Sequence, residues 1–544
     1  MTPIQSGPDN AKIMIVGEAP GQQEESTRQP FVGASGFELT KLLLEVGINR
    51  NNCFITNVTS ARPPGNDIDL FFYGKREAKL MGVPAYFGRY PKPEIHEGLK
   101  QLHANIERIK PQFILALGAT PLWALTGQSG IMSWRGSYLH THAGIAHSCG
   151  VLPTIHPANI LRDWSNRFLV TKDLQRLARA VREGSFPRKP DWNFLVAPKF
   201  DEVMDRLRTW RRAGGRFAED IETRRGQIAC NGIASDTMHA MCIPFISAAK
   251  QDAYWPEEEE LQIIIELRQF NKDPNCEFIF HNGAYDCQYF ARQWGYCPNI
   301  KHDTMIKQHV AFAGLRKSLA LCSSLYCNYH RFWKDDGKEW NEGMDERQIW
   351  TYNCEDCVRT FEVDQSLEKI IQMLGLEEQY KFQMHELWPE VYKTMLRGVN
   401  IDLARRSQFD LRLEQSMLEI EKWFQAVLGH ELNPRSTQQI GRLLYDDLGV
   451  PPIKSRKTGS LTTDDEALEK IKAKYPLLRP LLQQIGDYRS LGVYRSTFVQ
   501  APLSEDGRMR CAYNLAGTET YRFSSREDAF GTGTNLQNIP AGDE

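Results

Sequence analysis

Long uninterrupted apolar stretches are absent from this 544-residue sequence, in which 41% of the residues are hydrophobic and 25% are charged. A helix that crosses a bilayer needs about 20 consecutive apolar residues, so the sequence offers no candidate for a membrane span. Residues 1–10 also lack the basic start and the apolar core of a secretory signal. We therefore expect a cytoplasmic protein.

Dense, regular cysteine spacing is missing as well, because the twelve cysteines are scattered from Cys53 to Cys511. This distribution is typical of buried thiols in a reducing compartment and argues against a disulfide scaffold. Cys354 and Cys357 form a Cys-x-x-Cys pair, but no second Cys/His pair stands at zinc-finger spacing. A zinc site is not expected.

Net charge is almost absent, since 66 basic residues face 68 acidic residues and give −2. A balanced charge provides no general attraction to nucleic acid, so any DNA binding must come from local basic patches. The length exceeds what one hydrophobic core serves, and we expect three or four domains of about 100 to 200 residues each.

The pattern of apolar residues changes along the chain and predicts three domains. In residues 1–185, short apolar runs alternate with amphipathic stretches, which is typical of an α/β domain. A polar stretch with two prolines at 182–190 predicts a linker. Residues 193–378 are again mixed, whereas residues 379–544 begin with helical patterns over 380–397 and 403–428. The sequence therefore predicts a multidomain α/β protein with a mainly helical last third.

Two acidic residues in the middle third have the spacing of a metal site. Hydrolysis of a phosphodiester by two divalent ions needs several carboxylates that converge on metals about 3.5 to 4 Å apart. Asp220 and Glu222 lie two residues apart, so in a strand both side chains project from one face. Acid-x-acid pairs are common by chance, and this pair gains its meaning from the motifs that follow it.

Further motifs follow in order: Phe-His-Asn-Gly-Ala-Tyr-Asp at 280–286 and Lys-His-Asp-Thr-Met at 301–305. Tyr352 and Asp356 then stand four residues apart and share a helix face. The ordered set resembles the DnaQ-like 3′-5′ proofreading exonuclease domain of family A DNA polymerases, which has an RNase H-like fold. By that resemblance Tyr352 orients the attacking water, and the metal ligands are Asp220, Glu222, Asp286 and Asp356.

The cofactors implied by this resemblance are two divalent ions. Carboxylate oxygens are hard ligands, which favours Mg²⁺ with Mn²⁺ as a substitute. The implied substrate is the frayed 3′ end of DNA. The alternative is that each acid lies singly on a solvated face, as most acidic residues do.

The first third contains a second series of motifs. Residues 15–24 predict a strand, a tight Gly/Pro loop and a helix start, and the motifs Gln-Pro-Phe-Val-Gly at 29–33, Ile-Thr-Asn-Val at 55–58 and Thr-Ile-His-Pro at 154–157 follow. The series resembles the uracil-DNA glycosylase superfamily, closest to its family 4. The resemblance implies a pocket for a flipped base. By the resemblance, Phe31 stacks on the base in this pocket, Asn57 reads the base edge and His156 supports the uracil anion. Glu18 and Glu24 position or activate water and support the loop.

One departure from family 4 concerns its iron–sulfur cluster. Members typically hold the cluster with four cysteines, two before the first motif and two after it. Here no cysteine precedes Gly17, and the positions near Ala61 and Gly98 carry other residues. We therefore expect no iron–sulfur cluster. The sequence leaves open whether the pocket excises uracil or is an inert fold kept for DNA binding.

The last third contains the motifs Thr-Met-Leu-Arg-Gly-Val-Asn-Ile-Asp at 394–402, Arg-Ser-Thr-Gln-Gln at 435–439 and Leu-Thr-Thr-Asp-Asp-Glu-Ala-Leu-Glu at 461–469. They resemble the thumb and part of the palm of family A DNA polymerases. The basic residues of the last third are candidate phosphate contacts. Together with one arginine of the first third, these candidates are Arg162, Arg435, Lys454, Arg456, Lys457 and Arg489. Residues 518–525 and 535–540 resemble the segment that holds the minor groove of the primer–template. Arg522, Gln537 and Asn538 can donate to base-edge acceptors that all base pairs share there.

In the family, the polymerase carboxylates come after this point of the sequence. We therefore predict that the chain cannot polymerise alone. Either a second polypeptide supplies the fingers and the catalytic palm, as in a split polymerase, or the sequence is a fragment. The sequence as a whole indicates the front part of a bacteriophage-type family A DNA polymerase, acting in DNA replication in the host cytoplasm. Two alternatives are a DNA-positioning module with an inert glycosylase-like domain and a free-standing repair nuclease.

Overall fold

The computed structural model describes residues 4–247, 250, 252–335, 345–455 and 459–539. It forms two compact units, Met1–His385 and Glu386–Glu544. Among the described residues, no helix has both the length and the apolar character needed to cross a membrane. Two of the predicted phosphate contacts, Arg456 and Lys457, lie outside the described residues.

A five-stranded sheet organises residues 4–185, all of which are described. The strands are β1 (Ile13–Gly17), β2 (Cys53–Asn57), β3 (Phe113–Leu117), β4 (Leu139–His140) and β5 (Gly150–Thr154). The helices are α1 (Gln22–Thr27), α2 (Ala34–Glu45), α3 (Lys75–Met81), α4 (Pro93–Ile109), α5 (Ala119–Thr126), α6 (Ile131–Trp134), α7 (Pro157–Arg162) and α8 (Asn166–Glu183). The strand order is β2-β1-β3-β5-β4, and only the β4–β5 pair is antiparallel.

Both faces of this sheet are buried. Met14 and Val16 of β1 belong to one hydrophobic core, whereas Ile13 and Ile15 belong to a second core on the other face. A strand buried on both faces is apolar throughout, which explains why β1 and β3 are continuous apolar runs.

The described part of residues 186–385 is built around a six-stranded sheet of order β13-β12-β7-β8-β9-β6. The strands are β6 (Asn193–Val196), β7 (Gly215–Arg224), β8 (Gln227–Ala234), β9 (His239–Pro244), the small pair β10 (Ile246–Ser247) and β11 (Asp252–Ala253), β12 (Cys276–Phe280) and β13 (Ile300–Asp303). The helices are α9 (Phe200–Ala213), α10 (Glu257–Asn271), α11 (Ala284–Tyr289), α12 (Thr304–Ala311), α13 (Leu319–Tyr326), α14 (Arg347–Leu374) and α15 (Glu377–Lys381).

The close approach of α14 to β8 depends on a glycine. A Cβ on Gly232 would lie 2.4 Å from Asn353 Oδ1 and 2.8 Å from Cys357 Sγ. The side chains between helix and sheet are small enough for this contact because several are buried cysteine thiols, which behave as small apolar groups. These thiols belong to Cys230, Cys242, Cys354 and Cys357. The Cys-x-x-Cys pair of the sequence therefore lies in a packed core.

The second unit is mainly helical in its described residues. Its helices are α16 (Trp388–Arg397), α17 (Leu403–Leu428), α18 (Thr437–Gly441), α19 (Asp465–Lys474) and α20 (Arg479–Tyr494), and its strand pairs are β14 (Val399–Asn400) with β15 (Arg508–Met509) and β16 (Ala512–Asn514) with β17 (Ser524–Arg526). Residues 403–428 form one helix, as predicted. The helical pattern over 380–397 is interrupted by a wider turn at Phe382–Leu387.

Trp123 of α5 provides a test of the first core. Its ring is 1% exposed, and its Nε1 donates to Tyr86 O at 3.1 Å and to Phe87 O at 3.2 Å. We expect Trp123→Ala to lower the free energy of unfolding by about 3 to 5 kcal/mol, measured by urea denaturation, because it leaves a cavity. Trp164→Ala is the matched control, because that tryptophan is 65% exposed. We expect this substitution to change the free energy of unfolding by less than about 0.5 kcal/mol. Equal effects of the two substitutions would contradict the placement of Trp123 in this hydrophobic core.

Candidate functional site

Strand β7 presents Asp220 and Glu222 on one face of the second sheet, as their spacing predicts. Asp220 lies opposite Gly232 of β8, so no side chain from the neighbouring strand covers it. Helix α14 packs against these strands and contributes Asp356. The three carboxylates offer ligand oxygens that all lie within 4.8 Å of one another.

The charges of this three-carboxylate group oppose each other. Burial, followed by the charge of Asp356, raises the pKa of Asp220 to about 7. Burial and then the charges of Asp220 and Asp356 raise the pKa of Glu222 well above its usual range. Such crowding is relieved when a cation joins the carboxylates. Hard carboxylate oxygens at this spacing fit a small divalent ion such as Mg²⁺ or Mn²⁺.

The fourth predicted ligand, Asp286 of α11, lies beside this group and is not one of its three members. Its Oδ1 accepts a hydrogen bond of 3.1 Å from the Ile221 N–H, which ties it to β7 next to Asp220. Burial and then the charge of Asp220 raise the pKa of Asp286. The role of Asp286 as a metal ligand stays a prediction.

Asp303 belongs to the motif at 301–305, but the sequence analysis assigned no role to it. In the structure it holds the turn that leads to Asp286. Its carboxylate accepts hydrogen bonds from the Asn282 N–H at 3.2 Å and the Gly283 N–H at 2.8 Å. It also caps α12 through the Met305 N–H at 2.8 Å. Asn282 adopts a left-handed conformation with φ of 65°, which asparagine tolerates better than most residues. The motif at 301–305 therefore supports the motif at 280–286.

Sequence reasoning missed two residues that contact Asp356. Trp333 Nε1 donates to Asp356 Oδ1 at 2.6 Å. Lys334 Nζ donates to the other carboxylate oxygen and, at 2.8 Å, to the hydroxyl of Tyr352. Burial lowers the pKa of Lys334, but the charges of Asp356 and Asp220 outweigh it and raise the pKa overall. No spacing rule could have found these residues, because they lie in an irregular segment without a helix or strand period that would place their side chains.

Asn353 is a further residue that the sequence analysis did not single out. Its Nδ2 donates to Asp220 Oδ2 at 2.9 Å and to the Asp220 carbonyl at 3.1 Å. Its Oδ1 accepts from the thiols of Cys242 at 3.3 Å and Cys230 at 3.7 Å. The thiols can donate to the amide oxygen, whereas Asp220 needs the amide N–H, so the surroundings fix which way the amide points. Asn353 thus orients Asp220.

A second predicted site lies at the carboxyl ends of β1 and β2 in the first sheet. Ligands bind at the carboxyl ends of strands in open parallel sheets. Asn57 ends β2 beside Gly17, and the Phe31 ring approaches from the loop before α2. A Cβ on Gly17 would lie 2.3 Å from Asn57 Oδ1 and 2.6 Å from Phe31 Cζ. Glycine at this position therefore allows the two predicted base-binding side chains to meet.

The side chain of Asn57 is poised for a ligand. The residue is 7% exposed, and neither Nδ2 nor Oδ1 has a hydrogen-bond partner among the described residues. Buried amides in folded proteins are normally paired, so both groups are available to a bound molecule. The Phe31 ring lies 5.9 Å from the His156 ring, and Phe31 has a strained φ of 53°. Strain of this kind is typical of ligand sites.

His156 and the two glutamates complete this pocket. His156 Nδ1 accepts the Ala158 N–H at 3.2 Å, and burial followed by the charge of Arg162 lowers the pKa of His156 to about 4. Its proton therefore sits on Nε2, which can donate to an anion. Glu18 Oε1 accepts the Thr120 N–H at 3.2 Å, and burial raises the pKa of Glu18. Glu24 Oε2 accepts the Gly21 N–H at 2.7 Å, which supports the loop.

Sequence models of three families match the chain. The model of the uracil DNA glycosylase superfamily matches residues 4–182, that of the 3′-5′ exonuclease matches residues 206–372, and that of DNA polymerase family A matches residues 404–544. Over 185 residues the chain is 34% identical to the type-4 uracil-DNA glycosylase of Thermotoga maritima, covering 33% of this chain and 83% of that protein. The chain belongs to the uracil-DNA glycosylase superfamily. It also carries a 3′-5′ exonuclease domain and a family A DNA polymerase domain.

The chain is also similar to longer DNA polymerases. The DNA polymerase of Bacillus phage SP01 is 23% identical over 622 residues, covering 96% of this chain and 62% of that protein. The thermostable DNA polymerase I of Thermus thermophilus is 30% identical over 220 residues, covering 38% of this chain and 23% of that enzyme. The chain thus spans less than two thirds of the length of either polymerase.

The residues of the glycosylase domain do not fit the iron–sulfur cluster of family 4. Residues 4–182 contain two cysteines, Cys53 and Cys149, where such a cluster needs four thiolate ligands. Cys53 lies in the core on one face of the sheet and Cys149 in the core on the other face. Burial raises the pKa of Cys53 to about 11 and that of Cys149 to about 12, so both are neutral thiols.

Among the predicted DNA contacts that lie in the described residues, all but one are exposed. Arg162 in the glycosylase domain is exposed, as are Arg435, Lys454, Arg522, Gln537 and Asn538 in the polymerase domain. Arg489 instead donates to Pro434 O at 2.7 Å and to Thr463 O at 2.6 Å, so its guanidinium ties the polymerase domain together. The interpretation of Arg489 as a phosphate contact is therefore corrected to a structural role.

The low pKa of His156 has a measurable consequence. A histidine with a pKa of about 4 stays neutral as the pH rises from 5.5 to 8. We expect the imidazole signals of His156 in a histidine-labelled sample to keep constant chemical shifts over this range. His156→Gln assigns the signals by their loss. A titration midpoint between pH 5.5 and 8 would show that burial does not keep this imidazole neutral.

Proposed function

We propose that the chain is a DNA-editing enzyme whose exonuclease domain removes nucleotides from the 3′ end of DNA as part of a family A polymerase. The observation that carries this proposal is the group formed by Asp220, Glu222 and Asp356, whose oxygens lie within 4.8 Å. That group stands in the domain matched by the 3′-5′ exonuclease family. A cluster of carboxylates that repel each other has little structural value without a bound cation.

The roles of the individual residues follow from their contacts. Two Mg²⁺ or Mn²⁺ ions, held by Asp220, Glu222, Asp286 and Asp356, would activate water and stabilise the leaving oxygen. The Tyr352 hydroxyl lies beside Asp356 and can orient the attacking water. Asn353 fixes Asp220 through its amide N–H. Lys334, which contacts both Asp356 and Tyr352, offsets part of the negative charge in the site.

The polymerase domain is proposed to grip the primer–template. Its exposed basic and amide side chains can contact phosphates and minor-groove acceptors without reading sequence. Ser525 Oγ donates to Asn535 Oδ1 at 2.5 Å, which links β17 to the turn Leu536–Asn538 that carries Gln537 and Asn538. Polymerisation by a complete protein, and a second polypeptide that supplies fingers and catalytic palm, stay predictions.

The exonuclease proposal is tested on a labelled single-stranded oligonucleotide with Mg²⁺. We expect the chain to shorten it from the 3′ end, and Asp220→Ala to slow this by at least about a hundredfold, the scale observed when one charge-stabilising group is lost. Asp205→Ala is the matched control, because Asp205 is exposed on α9 of the same domain. Chelation of the metal should stop the reaction, and added Mg²⁺ should restore it. Equal rates for the wild type and Asp220→Ala would refute the proposal.

A second function, excision of uracil, is supported by the unpaired amide of Asn57. A neutral amide of this kind can form hydrogen bonds with the edge of a flipped base. The neutral His156, with its proton on Nε2, can support the departing base as its negative charge develops. The pocket thus contains each of the groups that the chemistry needs.

The glycosylase activity is tested on uracil-containing DNA followed by alkaline cleavage. The assay contains a chelator, so that 3′ shortening cannot obscure the cleavage product. We expect cleavage by the wild type and a loss of about a hundredfold in Asn57→Ala. Asn52→Ala, an exposed asparagine just before β2, should behave as the wild type. If high concentrations of the wild type produce no abasic sites, the proposed excision of uracil is refuted. That outcome supports an inert pocket or one with a different base preference.

A further inference from the structure

Residues 327–334, termed segment 327–334, follow α13 and run from the glycosylase domain to the carboxylates of the exonuclease domain. The beginning of the segment is held by α8 of the glycosylase domain. Arg176 donates to Cys327 O at 2.7 Å and to Ser324 O at 3.1 Å. Arg179 donates to Asn328 Oδ1 at 2.7 Å. Arg176 thus satisfies backbone carbonyls at the end of α13 that the helix itself leaves without partners, and Arg179 holds the residue that follows.

The middle of the segment is held by the chain around β4. The Tyr138 N–H donates to His330 O at 2.9 Å, and the Phe332 N–H donates to Ser137 Oγ at 3.1 Å. The Phe332 side chain is part of a hydrophobic core of the glycosylase domain, with its ring 5.3 Å from that of Trp134. Both backbone and side chain of Phe332 are therefore fixed by the glycosylase domain.

The next residue reaches the nuclease site. Whereas Phe332 packs in the core of the glycosylase domain, Trp333 belongs to a different hydrophobic cluster, together with Val363 and Leu367 of α14. Trp333 Nε1 donates to Asp356 Oδ1, and the guanidinium of Arg359 lies 4.0 Å from the Trp333 ring centroid. Lys334 then contacts the other oxygen of Asp356. A residue in the core of the glycosylase domain, Phe332, is thus followed directly by Trp333, which donates a hydrogen bond to a proposed metal ligand.

A buried ion pair makes this attachment rigid. Arg135 and Asp173 of the glycosylase domain are 1% and 0% exposed in their side chains. Arg135 Nη1 also donates to Ser324 Oγ of α13 at 2.8 Å. Displacement of α13 would leave a buried guanidinium N–H without its acceptor, which is costly. The contact therefore favours a single arrangement of the two domains.

We propose that the glycosylase domain is a working part of the exonuclease site, with Arg176 and Ser137 as positioning residues that act on Asp356 through Trp333. They fix segment 327–334, and the indole N–H of Trp333 then sets the orientation of the Asp356 carboxylate. The inference rests on the proposed exonuclease function. It is independent of whether the glycosylase pocket excises bases.

The test compares full-length variants in the 3′-shortening assay. We expect Arg176→Ala to lower kcat about tenfold with little change in KM, because a small displacement of a reacting group is costly while DNA binding is unaffected. Arg176→Lys should recover part of the loss, since a lysine can still donate to one carbonyl. The matched control is Arg182→Ala, an exposed arginine on the same helix, with the rate of the wild type. Hydrogen exchange should show faster exchange of segment 327–334 in Arg176→Ala alone.

A double-mutant cycle shows whether Arg176 acts through Trp333. Trp333→Phe keeps an aromatic ring but removes the indole N–H, and we expect it to lower kcat about tenfold by itself. If the pathway holds, adding Arg176→Ala to Trp333→Phe lowers kcat no further. Additive losses, or an Arg176→Ala rate equal to that of Arg182→Ala, would overturn the inference. An inactive wild type would instead overturn the exonuclease proposal. Should Arg176→Ala not fold, the same cycle with Arg176→Lys decides.

Discussion

Repulsion among Asp220, Glu222 and Asp356 is the constraint around which the exonuclease domain is organised. Three carboxylates with oxygens inside 4.8 Å cannot all stay ionised without neighbouring positive charge or hydrogen-bond donors. The domain supplies both, from Asn353 to Asp220 and from Trp333 and Lys334 to Asp356. Gly232 and the small cysteine thiols between α14 and the sheet allow α14 to approach closely enough for these contacts.

The base pocket follows the opposite electrostatic rule. The groups predicted to contact the base are neutral: an unpaired amide, an aromatic ring and an imidazole whose pKa is lowered to about 4. The two glutamates of the pocket instead accept backbone N–H groups. In the proposed excision of a base, neutral donors would contact a base edge without attracting the DNA phosphates, and they would leave room for charge that develops only during reaction. Two sites with contrasting electrostatics therefore coexist in one compact unit.

Much of the fold was accessible from the sequence because it is encoded locally. The apolar run Phe113–Leu117 is a strand, and the periodic pattern over 403–428 is a helix with those bounds. The shared faces of Asp220 with Glu222 and of Tyr352 with Asp356 follow from strand and helix periods. Periodicity says nothing about an irregular segment, so Trp333 was not found. Nor could it reveal that Arg489 turns inward, because this depends on carbonyls of residues distant in sequence.

Phe332 has a consequence for how such a protein can change over evolutionary time. The residue belongs by sequence to the nuclease but completes a hydrophobic core of the glycosylase domain. Neither domain is then freely exchangeable by recombination. An exchange would leave a cavity in the core of the glycosylase domain and would leave segment 327–334 of the exonuclease domain without its packing partner. Purifying selection on the nuclease would preserve the fold of its neighbour even in a lineage where base excision had no benefit.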